Sequence, residues 1–362
     1  MRWTSEAGPG TLFGGKDAPL FGRRLRRPRG PRLPVIAVTG FLGSGKTTLI
    51  RDLLEKPEGA NSAVVVNEYG EIGIDNALLR SSSDVTVLLG NGCLCCNVRT
   101  DLQETLRGLF VDRARGAVPS FERVVIETSG LADPGPVLQT FATDRALGRE
   151  FHLQALVSVV DAVNGKGNLE RMPEAKKQVA LADRIVVTKT DLADALRTQR
   201  LVERIASLSS APVGIAVDGE IEPSFLLDEP LSSRRSFNLG ESHEHTHGLC
   251  SFSLIFEKPL AWASFEQTMK LLTALRGPDL LRVKGLVAVE ECRGPVVVHF
   301  VQHVAHSPVE LEDWPDGDRR SRLVFVTRGL PREPVAQLFA GVAAIAPWGL
   351  PSAHHNTDST HS

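Results

Sequence analysis

Gly40-Phe41-Leu42-Gly43-Ser44-Gly45-Lys46-Thr47 is the stretch on which the reading of this chain turns. It matches the phosphate-loop pattern G-x-x-x-x-G-K-[ST]. The apolar run Val35–Val38 reads as a buried strand before it, and Thr47–Leu54 reads as a helix after it, stopping near Pro57-Glu58-Gly59. In this reading Gly40, Gly43, Ser44, Gly45, Lys46, Thr47 and Thr48 hold nucleotide phosphates. The glycines let backbone N–H groups converge on phosphate oxygens, and the helix N-terminus adds its dipole. Lys46 would reach the β- and γ-phosphates, and the Thr47 hydroxyl would ligate Mg²⁺. The alternative is a Gly-rich turn that binds nothing, which the flanking strand and helix argue against.

Working outward, apolar β-branched runs recur at Ala63–Val66, Val85–Leu89, Val124–Ile126, Leu156–Val160 and Ile185–Val187. Helix-compatible stretches such as Leu102–Phe110 and Lys176–Leu181 lie between them. This alternation predicts an α/β fold: a P-loop NTPase with a mainly parallel, doubly wound sheet, over about residues 34–216. Continuous apolar strands fit a sheet buried on both faces. Residues 217–248 are polar and turn-rich and read as a linker. From 249 to 346 a smaller α+β domain is expected, with strands at Leu249–Phe256, Leu280–Val289, Pro295–Gln302 and Arg322–Thr327. Its helices would be Ser264–Leu275 and Pro334–Ala344, on one face of an antiparallel sheet. Trp262 and Trp314 read as packing residues there. Residues 1–33 form an Arg-rich leader without the apolar core of a signal peptide, read as a disordered extension, with a transit peptide or an early start as alternatives. Residues 347–362 read as a disordered tail.

Two further elements bear on the nucleotide. In Arg123-Val124-Val125-Ile126-Glu127-Thr128-Ser129-Gly130 an apolar strand delivers an acid at its carboxyl end. Glu127 can hold magnesium through water, and the Gly130 N–H can meet the γ-phosphate, so Thr128–Asp133 would sense hydrolysis. Glu127 as a mere junction cap is the blander reading. Thr188-Lys189-Thr190-Asp191 follows the run Ile185–Val187 and resembles the guanine-reading N-K-x-D element, with Thr188 for Asn. Asp191 would accept from the two guanine N–H donors and leave adenine unsatisfied, so GTP is preferred to ATP. Threonine lacks the Asn amide fork, which predicts weaker contacts nearby.

Asn91-Gly92-Cys93-Leu94-Cys95-Cys96-Asn97 carries three of the five cysteines of the 362-residue chain. Adjacent residues of a strand face opposite ways, so Cys95 and Cys96 ligate one ion only if the chain turns, which Asn91-Gly92 allows. Three thiolates from Cys93, Cys95 and Cys96 suit Zn²⁺ and leave the fourth position open, as a carrier needs. Cobalt is accommodated by the same donors. A Cys93–Cys96 redox pair and inert buried thiols are the other readings. So few cysteines exclude a disulfide scaffold and point to a reducing, cytoplasmic setting. A formal charge of −2 gives no case for nucleic acid or a membrane surface, and no apolar run reaches the ~18 residues of a membrane span. His243, His245 and His247 alternate, and if extended would gather metal on one face; the alternative is a solvated loop. His299, His303 and His306 read as structural or surface residues.

Together these pieces resemble the CobW family, within the class that includes HypB and UreG. The likeness runs through Thr39–Thr48, Asn67-Glu68-Tyr69-Gly70-Glu71-Ile72-Gly73-Ile74-Asp75, Gly92–Cys96 and Glu127–Pro134. It continues in Gln178-Val179-Ala180-Leu181-Ala182-Asp183 and Leu281-Arg282-Val283-Lys284-Gly285-Leu286, covering about residues 34–346. The resemblance implies a zinc- or cobalt-handling GTPase that delivers metal to a client protein docking on the C-terminal domain, with slow hydrolysis that metal or client modulates. It makes Asn67–Asp75 a switch between nucleotide and metal, with Glu68, Glu71 and Asp75 as accessory ligands, water-positioning groups or plain solvated acids. No catalytic arginine or glutamine stands out, so catalysis would need a partner or a homodimer. Rival functions are a P-loop small-molecule kinase or ligase with a structural metal site, and a zinc-buffering or sensing module with a vestigial GTPase.

Overall fold

A computed structural model describes residues 32–67, 86–88, 98–144, 146–217, 219–228, 243–244, 248–302, 304–305, 308–315 and 317–345. The first sheet contains β1 (Leu33–Gly40), β2 (Ser62–Asn67), β3 (Thr86–Leu88), β4 (Arg123–Thr128), β5 (Phe151–Asp161), β6 (Arg184–Thr188) and β7 (Val213–Ile215). Their order is β3-β2-β4-β1-β5-β6-β7 and every pairing is parallel. β1 explains why both faces are covered. Val35 and Ala37 pack on one side with helices Val98–Arg115 and Gly135–Thr143, and Ile36 and Val38 on the other with helix Lys46–Glu55. A strand apolar at every position can lie only in such a two-sided core. β2 to β4 lie on one side of β1 and β5 to β7 on the other, so a crevice opens at its carboxyl end, where the connections change sides between β4 and β5.

The expected strands and helices are present, with shifted ends. β5 starts five residues before Leu156, because His152 and Gln154 break its apolar run while it still pairs with Leu33–Val35. β3 falls within the expected Val85–Leu89, whose two end residues lie outside the described residues. Helix Ala195–Ala206 opens on Asp194, whose carboxylate accepts from the Arg197 N–H at 2.7 Å. The start of the expected linker belongs instead with the first sheet. Leu226 is buried in its core, and Ile221, Phe225 and Leu227 pack against it. Lys56 and Arg184 donate to the Ile221 and Asp228 carbonyls there. The leader to residue 31 and the tail from 346 lie outside the described residues.

The second sheet is antiparallel, with β9 (Leu249–Phe256), β12 (Ser321–Arg328), β10 (Leu280–Val287) and β11 (Val296–Val301) adjacent in that order. Helices Trp262–Arg276 and Arg332–Ile345 cover one face over a core that includes buried Trp262, Phe265, Phe325 and Phe339. The other face is not open. Leu281, Val301 and Val326 join the core of the first domain. No helix among the described residues is long and apolar enough to cross a membrane.

An ion cluster lies at this domain junction. Asp183, just before β6, accepts from Arg282 Nη2 and from Lys284 Nζ, each at 2.7 Å, and from the Leu156 N–H at 2.9 Å. Arg282 also donates to the Leu181 carbonyl. Burial alone would raise the Asp183 carboxyl, but the two cations and the hydrogen bonds outweigh it and hold the group well below the usual carboxylate range. A depressed carboxylate stabilises the fold above its unfolded pKa and loses that contribution as pH falls, here below about pH 4. Asp183→Asn is therefore expected to cost about 3–5 kcal/mol near neutral pH by leaving buried cations uncompensated. The variant should also lose less further stability than the parent on acidification, as urea unfolding across an acid pH series would measure.

Candidate functional site

Three strand ends form the site. β1 ends on Gly40 with φ 149°, and a Cβ there would overlap the Val159 carbonyl of β5. Gly43 (φ 69°) and Gly45 (φ 93°) are left-handed, and the Ser44 N–H closes a turn onto the Phe41 carbonyl at 3.1 Å. Helix Lys46–Glu55 starts at Gly45 with no side-chain cap and no acid in its first turn. Its leading N–H groups and dipole suit an anion. Lys46 is buried, and its ammonium donates to the carbonyls of Gly40 (3.1 Å) and Phe41 (3.5 Å), folded over the loop itself.

β4 brings Glu127 opposite Val38 of β1 and Val66 of β2. Glu127 is 5% exposed, and its carboxylate accepts from the Thr47 hydroxyl at 2.7 Å. A hydroxyl and a carboxylate side by side are hard oxygen donors of the kind Mg²⁺ takes, so these residues fit the ion. The chain then turns back, with the Ala132 N–H on the Ser129 carbonyl at 3.0 Å. Gly130 backs onto the phosphate loop so closely that a Cβ would lie 2.8 Å from Leu42 N.

β6 supplies the third part. The buried Thr188 hydroxyl donates to the Ser44 carbonyl at 2.7 Å, and Lys189, at φ 56°, reaches the Gly43 carbonyl at 2.7 Å. The threonine expected to weaken local contacts thus ties β6 directly to the loop. Asp191 is exposed on the short 3-10 turn Thr190–Leu192, next to that loop contact. Gly40, Gly43, Ser44, Gly45, Lys46, Thr47, Thr48, Glu127, Gly130, Thr188, Lys189 and Asp191 therefore gather along one sheet edge. Cys93, Cys95, Cys96, Glu71, His245 and His247 lie outside the described residues. His243 falls in the two-residue strand β8 (His243–Glu244), paired with β9. Among the described residues no group of three or more His, Cys, Asp and Glu could hold a metal.

Residues without an assigned role in the sequence also meet here. Gln178, on helix Pro173–Leu181, donates to the carbonyls of Gly130 and Ala132, each at 3.1 Å. Lys177 pairs with Asp133 at 2.5 Å, and Asp133 accepts from the Gly135 N–H at 2.8 Å. One signal was available: a glutamine on an otherwise apolar helix face needs polar partners when buried.

Two family models match the chain: the CobW/HypB/UreG nucleotide-binding domain over residues 34–213, and the C-terminal domain of the cobalamin synthesis protein CobW over residues 249–343. The zinc chaperone YjiA of Escherichia coli K12 is 31% identical, covering 86% of this chain and 98% of that protein. The zinc chaperone CobW of Pseudomonas aeruginosa is 30% identical, covering 84% and 90%. The crystal structure of Zn(II)-bound YjiA GTPase from E. coli superposes with a TM-score of 0.65 at 27% identity, over 86% of this chain and 99% of that one.

Thr188→Val keeps the volume but strands the Ser44 carbonyl. It is expected to lower stability by about 1–3 kcal/mol, measured by chemical unfolding.

Proposed function

The chain belongs to the CobW/HypB/UreG family, and from that premise we propose that it is a GTP-hydrolysing metallochaperone. In this reading it binds zinc through Cys93, Cys95 and Cys96 and passes it to a client metalloprotein in the cytoplasm. The observation that carries the reading is the meeting of Lys46, Thr47 and Glu127 under a left-handed glycine loop, with Thr47 and Glu127 2.7 Å apart. The name zinc chaperone, carried by both relatives, supports the cargo.

The proposed chemistry is attack of water on the γ-phosphorus of GTP, breaking its bond to the β–γ bridging oxygen and releasing GDP and phosphate. Backbone N–H groups of the loop and helix Lys46–Glu55 hold the phosphates. Lys46 leaves the Gly40 and Phe41 carbonyls to meet the β- and γ-oxygens, where negative charge develops. Thr47 and Glu127 would hold Mg²⁺, Glu127 through water; when bound, the ion neutralises charge across the β- and γ-oxygens. The Gly130 N–H faces the γ-phosphate, and Asp191 reads guanine with the Lys189 stem over the base.

Topology supports the coupling of nucleotide to metal. The sheet is parallel, so β2 runs into Asn67–Asp75, and β3 into the cysteine stretch, from the edge that carries Lys46 and Glu127. GTP would draw Asn67–Asp75 and Thr128–Asp133 inward around the metal, and hydrolysis would release both. Cobalt is the alternative cargo, His243, His245 and His247 are an accessory collection point, and the C-terminal domain is the client's docking surface.

Titrating zinc with and without a non-hydrolysable GTP analogue is expected to give a coupling of about 1–3 kcal/mol between the ligands. Cys95→Ala should abolish the coupling while leaving GTP binding intact. Equal zinc affinity with and without the analogue, or turnover that requires a metabolite acceptor, would sink the proposal.

A further inference from the structure

The segment that would sense the γ-phosphate is held by helix Pro173–Leu181, whose own end is tied to the C-terminal domain. Gln178 is 1% exposed, and its amide nitrogen bonds both the Gly130 and Ala132 carbonyls. One side chain thus pins both ends of the turn that lies against Leu42. Gln178 also lines a small cavity with Phe41, Ser44, Ser158 and Asn168. Gln178 Oε1, Ser44 Oγ and Ser158 Oγ, on three residues that line it, have no hydrogen-bond partner among the described residues. Gln178 therefore bonds the Gly130 segment and shares a cavity wall with Phe41 and Ser44 of the phosphate loop.

The helix that carries this amide is tied at its end to the other domain. Gln178 lies one turn before Leu181, whose carbonyl accepts from Arg282, and five residues before Asp183, which binds Arg282 and Lys284. The helix that follows the segment, Gly135–Thr143, is held as well: Gln139 donates to Gln302 Oε1 at 2.5 Å. Residues 129–134 hang between two helices, and each carries a polar anchor to the C-terminal domain.

We propose that Gln178 is a positioning residue for GTP hydrolysis, and that the Asp183–Arg282–Lys284 cluster makes its placement depend on the seating of the C-terminal domain. A client that shifts that domain would thereby change hydrolysis without touching the nucleotide. This rests on the GTPase reading above. The nucleotide itself gives a selective readout, since GDP has no γ-phosphate for the Gly130 segment to meet.

The test uses the full chain with Gln178→Ala, Lys284→Met and Lys284→Arg. Lys284 is the milder cluster site to change, because Arg282 stays on Asp183. Both Gln178→Ala and Lys284→Met are expected to speed amide hydrogen exchange across residues 129–134 in nucleotide-free protein. They should slow single-turnover GTP hydrolysis about tenfold, with GDP affinity held within about twofold. Lys284→Arg keeps the cation and should behave as the parent. Unchanged exchange in Lys284→Met, or equal losses of GDP and GTP binding, overturns the proposal. The exchange measurement needs no turnover, so a parent chain that does not hydrolyse GTP overturns the GTPase reading and leaves the exchange result to decide the mechanical link.

Discussion

The structure depends on a backbone constraint at the end of β1. The strand must stop, turn tightly enough for its amides to face one point, and start a helix within a few residues. Gly40, Gly43 and Gly45 meet that demand with φ values of 149°, 69° and 93°, which side chains rarely tolerate. At Gly40 the crowding is steric as well, because β5 runs alongside and its Val159 carbonyl occupies the place of a Cβ. The parallel sheet and the loop therefore require one another. β5 packs against β1 only because the loop has no side chain there, and the loop holds its curl because β4, β5 and β6 surround it.

From that edge the sheet distributes chemistry by register. Parallel pairing sets Glu127 beside Val38 and Val66, which brings its carboxylate to the Thr47 hydroxyl. Pairing of β6 with β5 sets Thr188 beside Asp161, and its hydroxyl then reaches Ser44. Neither residue could be moved by one position without turning its side chain to the opposite sheet face. Glu127 and Thr188 are buried, so a misplacement of either would strand a donor or acceptor away from water.

The second domain is an integral wall of this core. Its antiparallel sheet offers one face to its own helices and contributes Leu281, Val301 and Val326 to the core beneath β1 and β4. The ion cluster at Asp183 is well satisfied, with two cations and a backbone N–H on one carboxylate. Buried pairs of this kind contribute little net stability against an apolar substitute, yet are costly to break on one side. Their consequence is geometric: they fix how the domains sit, and so where helix Pro173–Leu181 ends.

The local signals in the chain were enough to specify the α/β class, the glycine loop, Lys46, Thr47, Glu127 and the antiparallel second domain. Each is written in short-range patterns: apolar continuity, glycine spacing, an acid at a strand end. Family membership was legible in the same way. What the tertiary structure alone decided concerns contacts between segments far apart in sequence. Thr188 reads as a defect next to the usual Asn, and only the position of β6 beside the loop gives its hydroxyl the Ser44 carbonyl. Arg282 and Lys284 read as charges in a strand, and Gln178 as one polar residue of a helix. Asp183 comes within reach of Arg282 and Lys284 only once the two domains pack, and the Gly130 turn reaches Gln178 only once the first domain has folded. Pairing of this kind depends on where folding brings two surfaces together, which no local pattern encodes.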